Sequence, residues 1–207
     1  MPVLLVVLFG ACVDPEQRFN DYASRIVDAR VVVQPDVPPF ETIPDVSGTF
    51  LTGLTADILA GAPGPIQFLS TQTVDKSSGK YMLTLSLQPL DKTTRLPVGS
   101  PIGYAPVEVA ANGSFNASVA SLTIPAAANT LAPIDIVADS IVIHGQILTA
   151  NAHCGTLDGN VTSPAIGSLA AQHTTYGAIR VAPGTMGNAL PPPPKNCATA
   201  SPADAGP

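Results

Sequence analysis

Charge is scarce in this sequence, and positive charge scarcest of all. Only 12% of the 207 residues are Asp, Glu, Lys or Arg, and nine bases face fifteen acids for a formal net charge of -6. Nucleic-acid binding is excluded on this balance, because neutralising phosphates needs a basic footprint. A charged fraction this low, with a mean hydropathy of +0.31, also excludes an acidic disordered chain and a charge-laced coiled coil. Tryptophan is absent, and six Phe with four Tyr leave few aromatic platforms for a sugar-cleaving cleft.

Catalytic signatures are missing as well. No Gly-x-Ser-x-Gly occurs; the nearest approach, Gly99-Ser100-Pro101-Ile102-Gly103, carries a proline and lacks a strand-to-helix setting. Neither a phosphate-cradling glycine loop nor a helical His-Glu-x-x-His is present. Asp135 and Asp139 are four apart and are read as turn-capping acids rather than an acid/base pair. His144, His153, His173 and Cys154 are the only conceivable metal set, but His153 and Cys154 are adjacent and on a strand would face opposite ways. The expectation is therefore a non-enzyme with no metal site and no cofactor.

What is present begins at the N-terminus. Val3 to Phe9 is an uninterrupted apolar run followed by Gly10-Ala11-Cys12. Such a run is far short of the roughly 20 residues that span a bilayer and suits the apolar region of a signal peptide. The small-small-Cys ending resembles the processing site of bacterial lipoproteins, a resemblance carried by about ten residues. It implies cleavage before Cys12, lipidation of that cysteine, and attachment to the bacterial cell envelope, with the outer membrane the expected location. No Lys or Arg precedes the run, so the true signal is expected to start upstream of Met1. The same resemblance accounts for an odd number of cysteines: with Cys12 consumed by lipid, Cys154 and Cys197 are left to form a disulfide. That bridge would close a loop of about 44 residues, worth on the order of 4 kcal/mol in the chain-entropy treatment.

Residues 1–11 are thus read as signal peptide and 12–45 as anchor, short helix and strap. Asp14-Pro15 starts the helix as cap and first residue, and Phe19, Tyr22, Ala23, Ile26 and Val27 recur at helical spacing over about 15–30. Pro35, Pro38, Pro39 and Pro44 then impose an extended strap.

From residue 46 to about 185 the pattern has period two. Ile66, Phe68 and Val74 share one parity, and Tyr81, Leu83, Leu85 and Leu87 alternate with polar residues. Turns are expected at Lys76–Gly79, Asp91–Arg95 and Asn112-Gly113, the last a strong hairpin signal. Ile134 and Ile136 lie on even positions but Ile141, Ile143 and Ile147 on odd ones, placing a bulge or break near Asp139-Ser140. Eight to ten strands without intervening helices predict an all-β domain, either an antiparallel sandwich or an up-and-down, lipocalin-like barrel. Residues 186–207, rich in Pro and Ala, are expected to be disordered except where Cys197 ties them down.

Two functional readings follow. The favoured one is a membrane-anchored binding or structural module that meets an envelope protein through a sheet face or edge. The other is a small barrel that carries an apolar ligand in its interior. A packed interior would exclude the second, and an apolar cavity would support it.

Overall fold

The computed structural model describes residues 43–62 and 64–201. The expected N-terminal helix and the Cys12 anchor lie outside the described residues, as do 202–207.

The alternating segments form ten strands in one antiparallel sheet: β1 (Gly48–Thr55), β2 (Ile66–Asp75), β3 (Met82–Pro89), β4 (Ile102–Gly103), β5 (Val107–Glu108), β6 (Ser114–Ile124), β7 (Ile136–Thr149), β8 (Ala152–Ser163), β9 (Gly167–Ser168) and β10 (Thr175–Val181). Their order is β4-β3-β2-β1-β10-β8-β7-β6, with β5 beside β3 and β9 beside β8. Leaving aside the two-residue strands β4, β5 and β9, strands that follow one another in the chain pair side by side from β1 to β3 and from β6 to β10, and β10 also returns to β1, running from Thr49↔Val181 to Thr55↔Thr175. That last ladder curls the meander into a nearly closed barrel; a two-sheet sandwich is not formed.

The remaining gap, between β3 with its short partners and β6, is bridged at both ends. At one end the β5–β6 turn closes with Ala110 N–H donating to Ser114 O at 2.8 Å. At the other, Lys92 N–H donates to Ala127 O at 2.9 Å and its Nζ to Asn129 O at 3.0 Å.

The turns fall where the sequence puts them, and their acids hold them. Asp75 accepts the Ser77 N–H, and Asp91 accepts those of Thr93 and Thr94. These bonds favour the carboxylate and hold both carboxyls below their usual pKa. The parity change near residue 140 is a bulge within a continuous β7: the register to β8 shifts between Asp139 and Val142, and Ser140 adopts φ +55°.

Inside the barrel the odd and even faces separate cleanly. Phe50, Phe68, Leu83, Leu85, Ala138, Ile141, Ile143, Leu157 and Tyr176 form one core cluster. At the end where β1 begins, residues 43–47 cover the core. Val46 is fully buried, Tyr81 Oη donates to Pro44 O at 2.6 Å, and the Arg180 guanidinium stacks 4.9 Å from the Phe50 ring while donating to the Asp45, Ser47 and Ala150 carbonyls.

A second, smaller cluster lies on the outer face: Leu51, Leu69, Leu90, Val181 and Leu190. Here the tail departs from expectation, since residues 187–201 pack on the barrel instead of being disordered. Arg95 donates to the carbonyls of Leu190 at 2.8 Å and Pro191 at 2.7 Å, satisfying backbone that a proline run cannot pair with itself. Gly53 and Gly177 present no side chain to this face, and a Cβ on either would collide with the Pro194 or Asn196 backbone. The segment ends in a short helix, α1 (Cys197–Ala200), started by a reciprocal Asn196–Thr199 capping box.

The disulfide joins Cys154 to Cys197, over a separation of 43 residues. It pins α1 to the outer face of β8 and β10. Replacing both cysteines by Ala is expected to lower unfolding free energy by about 2–4 kcal/mol, measured by urea denaturation; unchanged stability would show that the tail's other contacts hold it alone.

Candidate functional site: an apolar cavity over a buried polar layer

The inner face of β8 alternates His153, Gly155, Leu157, Val161, and this sequence divides the barrel interior in two. His153 is 4% exposed and lies among three aromatic rings, with centroids 5.2 Å from Phe50, 5.6 Å from Tyr176 and 6.2 Å from Phe115. Two inward-facing glycines make room for those rings. A Cβ at Gly145 would enter the Phe115 ring, and one at Gly155 would press on Tyr176 and on the His144 carbonyl.

The polar atoms of this layer are chained together. Gln72 Nε2 lies 2.5 Å from His153 Nε2, and His153 Nδ1 lies 3.3 Å from Tyr176 Oη. Gln72 Nε2 also donates to Ser70 Oγ at 3.3 Å, and Ser70 Oγ lies 3.1 Å from Thr52 Oγ1. Burial keeps the imidazole neutral, pushing its pKa down to about 3, and raises that of the Tyr176 phenol.

Between this layer and the opposite end of the barrel is a cavity of about 90 Å³. Its walls come from Phe68, Leu85, Ala138, Ile141, Ile143, Leu157 and Tyr176, and Ile102 and Tyr104 reach it from β4 and the residue after it. Among the described residues that line it, all but Thr52, Gln72, Tyr104, His153, Gln172 and Tyr176 are apolar, and none is Asp, Glu, Lys or Arg. Strand directions put the β1–β2, β6–β7 and β8–β10 connections at this same end, and they supply Ile58, Leu131 and Leu169 to the lining. Ile58 and Leu131 are 38% and 42% exposed, forming an apolar rim. Across that rim, His173 Nδ1 lies 2.6 Å from Asp57 Oδ2, and the carboxylate raises the His173 pKa.

The histidines and Cys154 do not come together. His153 faces the interior, Cys154 is disulfide-bonded on the outer face, and His173 is at the rim. His144 is on the outer face of β7, between Asn116 Oδ1 at 2.8 Å and Asp158 Oδ2 at 2.9 Å. No group of metal-ligating side chains is found among the described residues. Asp135 accepts the Ala126 N–H in the β6–β7 loop and Asp139 lies near Thr162 Oγ1, so these two acids are separate structural groups.

Sequence reasoning did not single out Gln72, Tyr104 or Tyr176, and treated His153 only as a metal candidate. A signal existed for two of them: Gln72 shares the inward parity of Ile66 and Phe68, and His153 that of Leu157 and Val161. A polar residue on an apolar parity marks a buried hydrogen-bonding position. No such signal exists for Tyr104, which follows a two-residue strand too short to show a parity.

No protein-family model matches the chain, and comparison with curated proteins and with solved structures finds no match. No helix among the described residues is long and apolar enough to cross a membrane.

The neutral histidine gives a pH signature. Below its ordinary pKa of about 6.5, the unfolded chain takes up a proton that the folded site refuses, so this group's contribution to stability is lost as pH falls from about 6.5 to about 3. The slope reaches at most about 1.4 kcal/mol per pH unit. Urea unfolding as a function of pH is expected to be flatter over that window in His153→Gln than in the parent; equal slopes would mean that His153 takes up its proton in the fold as readily as in the unfolded chain.

Proposed function

We propose that this protein is an exported, lipid-anchored barrel that holds a small apolar ligand in its interior at the bacterial cell envelope. The observation that carries the reading is the apolar cavity of about 90 Å³, floored by the His153 layer and rimmed by exposed Ile58 and Leu131. A concave site whose surface is apolar suits a small apolar molecule. The lack of charge among the described residues of its wall favours ligands that gain by leaving water over ligands held by an ion pair.

The alternative, a module that binds partners through a sheet face, has less support. The outer face over β1, β2 and β10 is occupied by the chain's own tail, and the outer face of β6, β7 and β8 carries polar side chains such as Asn116, His144 and Asp158. The anchor rests on Gly10-Ala11-Cys12.

Benzene is a suitable probe of the interior. In the full chain, benzene at about five times its dissociation constant is expected to stabilise by about 1 kcal/mol, raising Tm by roughly 2–4 °C. In Ala138→Leu, where the added methyl groups fill the cavity, the response should disappear while cooperative unfolding is kept. An equal response in both proteins would place benzene elsewhere. For the anchor, Cys12→Ala is expected to move the protein from the membrane to the soluble fraction of its host. Unchanged fractionation would contradict lipid attachment.

A further inference from the structure

We infer that His173 and Asp57 form a pH-dependent clasp at the mouth of the cavity, tight when the imidazole is charged and slack when it is neutral, which sets how fast a ligand enters and leaves. The inference rests on the cavity-binding reading and adds to it a control of access.

The clasp follows from the register of the ladder that closes the barrel. β1 pairs with β10 as far as Thr55↔Thr175, and continuing that register by two residues sets Asp57 opposite His173. Each adjoins a single helical turn, Asp57–Leu59 on the β1–β2 connection and Ala170–Gln172 on the β8–β10 connection. Both turns build the cavity wall: Ile58 and Leu59 come from the first, and Gln172, with Leu169 just before it, from the second. The 2.6 Å contact between His173 Nδ1 and Asp57 Oδ2 therefore ties together two wall segments where the strand ladder has ended. The backbone gives a second sign that the His173 side chain is used. Its φ is +44°, in the left-handed region that glycine favours, and a side chain kept at such a position points to a role for that side chain.

Among the described residues, Asp57 is the only charged group that acts on His173. The Ala170–Gln172 turn carries no ionisable side chain, and Lys195 of the tail meets this edge through its carbonyl, which accepts from Thr55 Oγ1 and Thr175 Oγ1. The carboxylate holds the His173 pKa above its ordinary 6.5, so the pair is charged in mild acid and loses its charge as pH rises past the raised value. A neutral imidazole can still donate from Nδ1, so the clasp slackens without vanishing. Both side chains are exposed, at 80% and 64%, and solvent screens them. The effect on opening is accordingly modest, about two- to fivefold in rate.

The test follows benzene exchange with the full chain by NMR, on the methyl groups of Ile141 and Leu157, at pH 5 and pH 9. In the parent the exchange rate is expected to rise about two- to fivefold between the two. Asp57→Asn and His173→Gly should exchange at the faster rate at both. Glycine suits the left-handed backbone, so His173→Gly should also unfold at about the urea concentration of the parent; faster exchange at equal stability distinguishes a clasp from a general loosening of the fold. Without ligand, the His173 ring protons should titrate above about 6.5 in the parent and lower in Asp57→Asn. Exchange that ignores both pH and the two substitutions would overturn the clasp and leave the cavity reading standing. A His173 titration unmoved by Asp57→Asn, or faster exchange in His173→Gly only in step with lost stability, would overturn it as well. If benzene perturbs no residue of the cavity wall, the cavity reading itself fails.

Discussion

The strict alternation of side chains along β8 is the constraint on which both halves of this structure depend. Because neighbouring residues of a strand face opposite ways, His153 enters the barrel while Cys154 leaves it. Inward, the imidazole draws Gln72, Tyr176 and two aromatic rings around itself and forms the floor of the cavity. Outward, the sulfur fixes the tail across β8 and β10, covering Leu51, Leu69 and Val181. A slip of one residue in β8 would bury the thiol in the polar layer and turn the histidine toward the tail, so the register of this strand is specified twice.

The floor divides the interior into regions of different character. Below it, Phe50, Phe115, Tyr81 and Val46 are buried in the barrel and Arg180 is held by backbone carbonyls, closing that end. Above it, smaller or aliphatic side chains such as Ala138, Ile141 and Leu157 line open space, and the connecting loops end in an exposed apolar rim. A polar network that is nearly satisfied rigidifies its surroundings. Such a floor keeps the aromatic layer from collapsing into the cavity.

Much of the strand architecture was legible in the chain. The parity runs of β2 and β3, the Asn112-Gly113 turn, the bulge at residue 140 and the Cys154–Cys197 pair all correspond to features of the fold. Period two tells which face a residue occupies but not which strand lies beside it. Choosing a barrel over a sandwich therefore depended on β10 returning to β1, a pairing across more than 100 residues that no local pattern encodes. The tail was misjudged for a related reason. Its few bulky side chains suggested disorder, whereas its order comes from Arg95 donating to backbone carbonyls and from Gly53 and Gly177 leaving a shelf, all distant in sequence. The candidate site was the least legible part, since Tyr104 gains its meaning only from the enclosure around it.

Xenon tests the cavity most directly, because it enters dry apolar space and needs no guess about a natural ligand. Crystals under xenon pressure are expected to show a bound atom among Ala138, Ile141, Leu157 and Tyr176, above the His153 layer, with the barrel otherwise unchanged. Xenon absent from that region, or an interior already filled by repacked side chains, would contradict it.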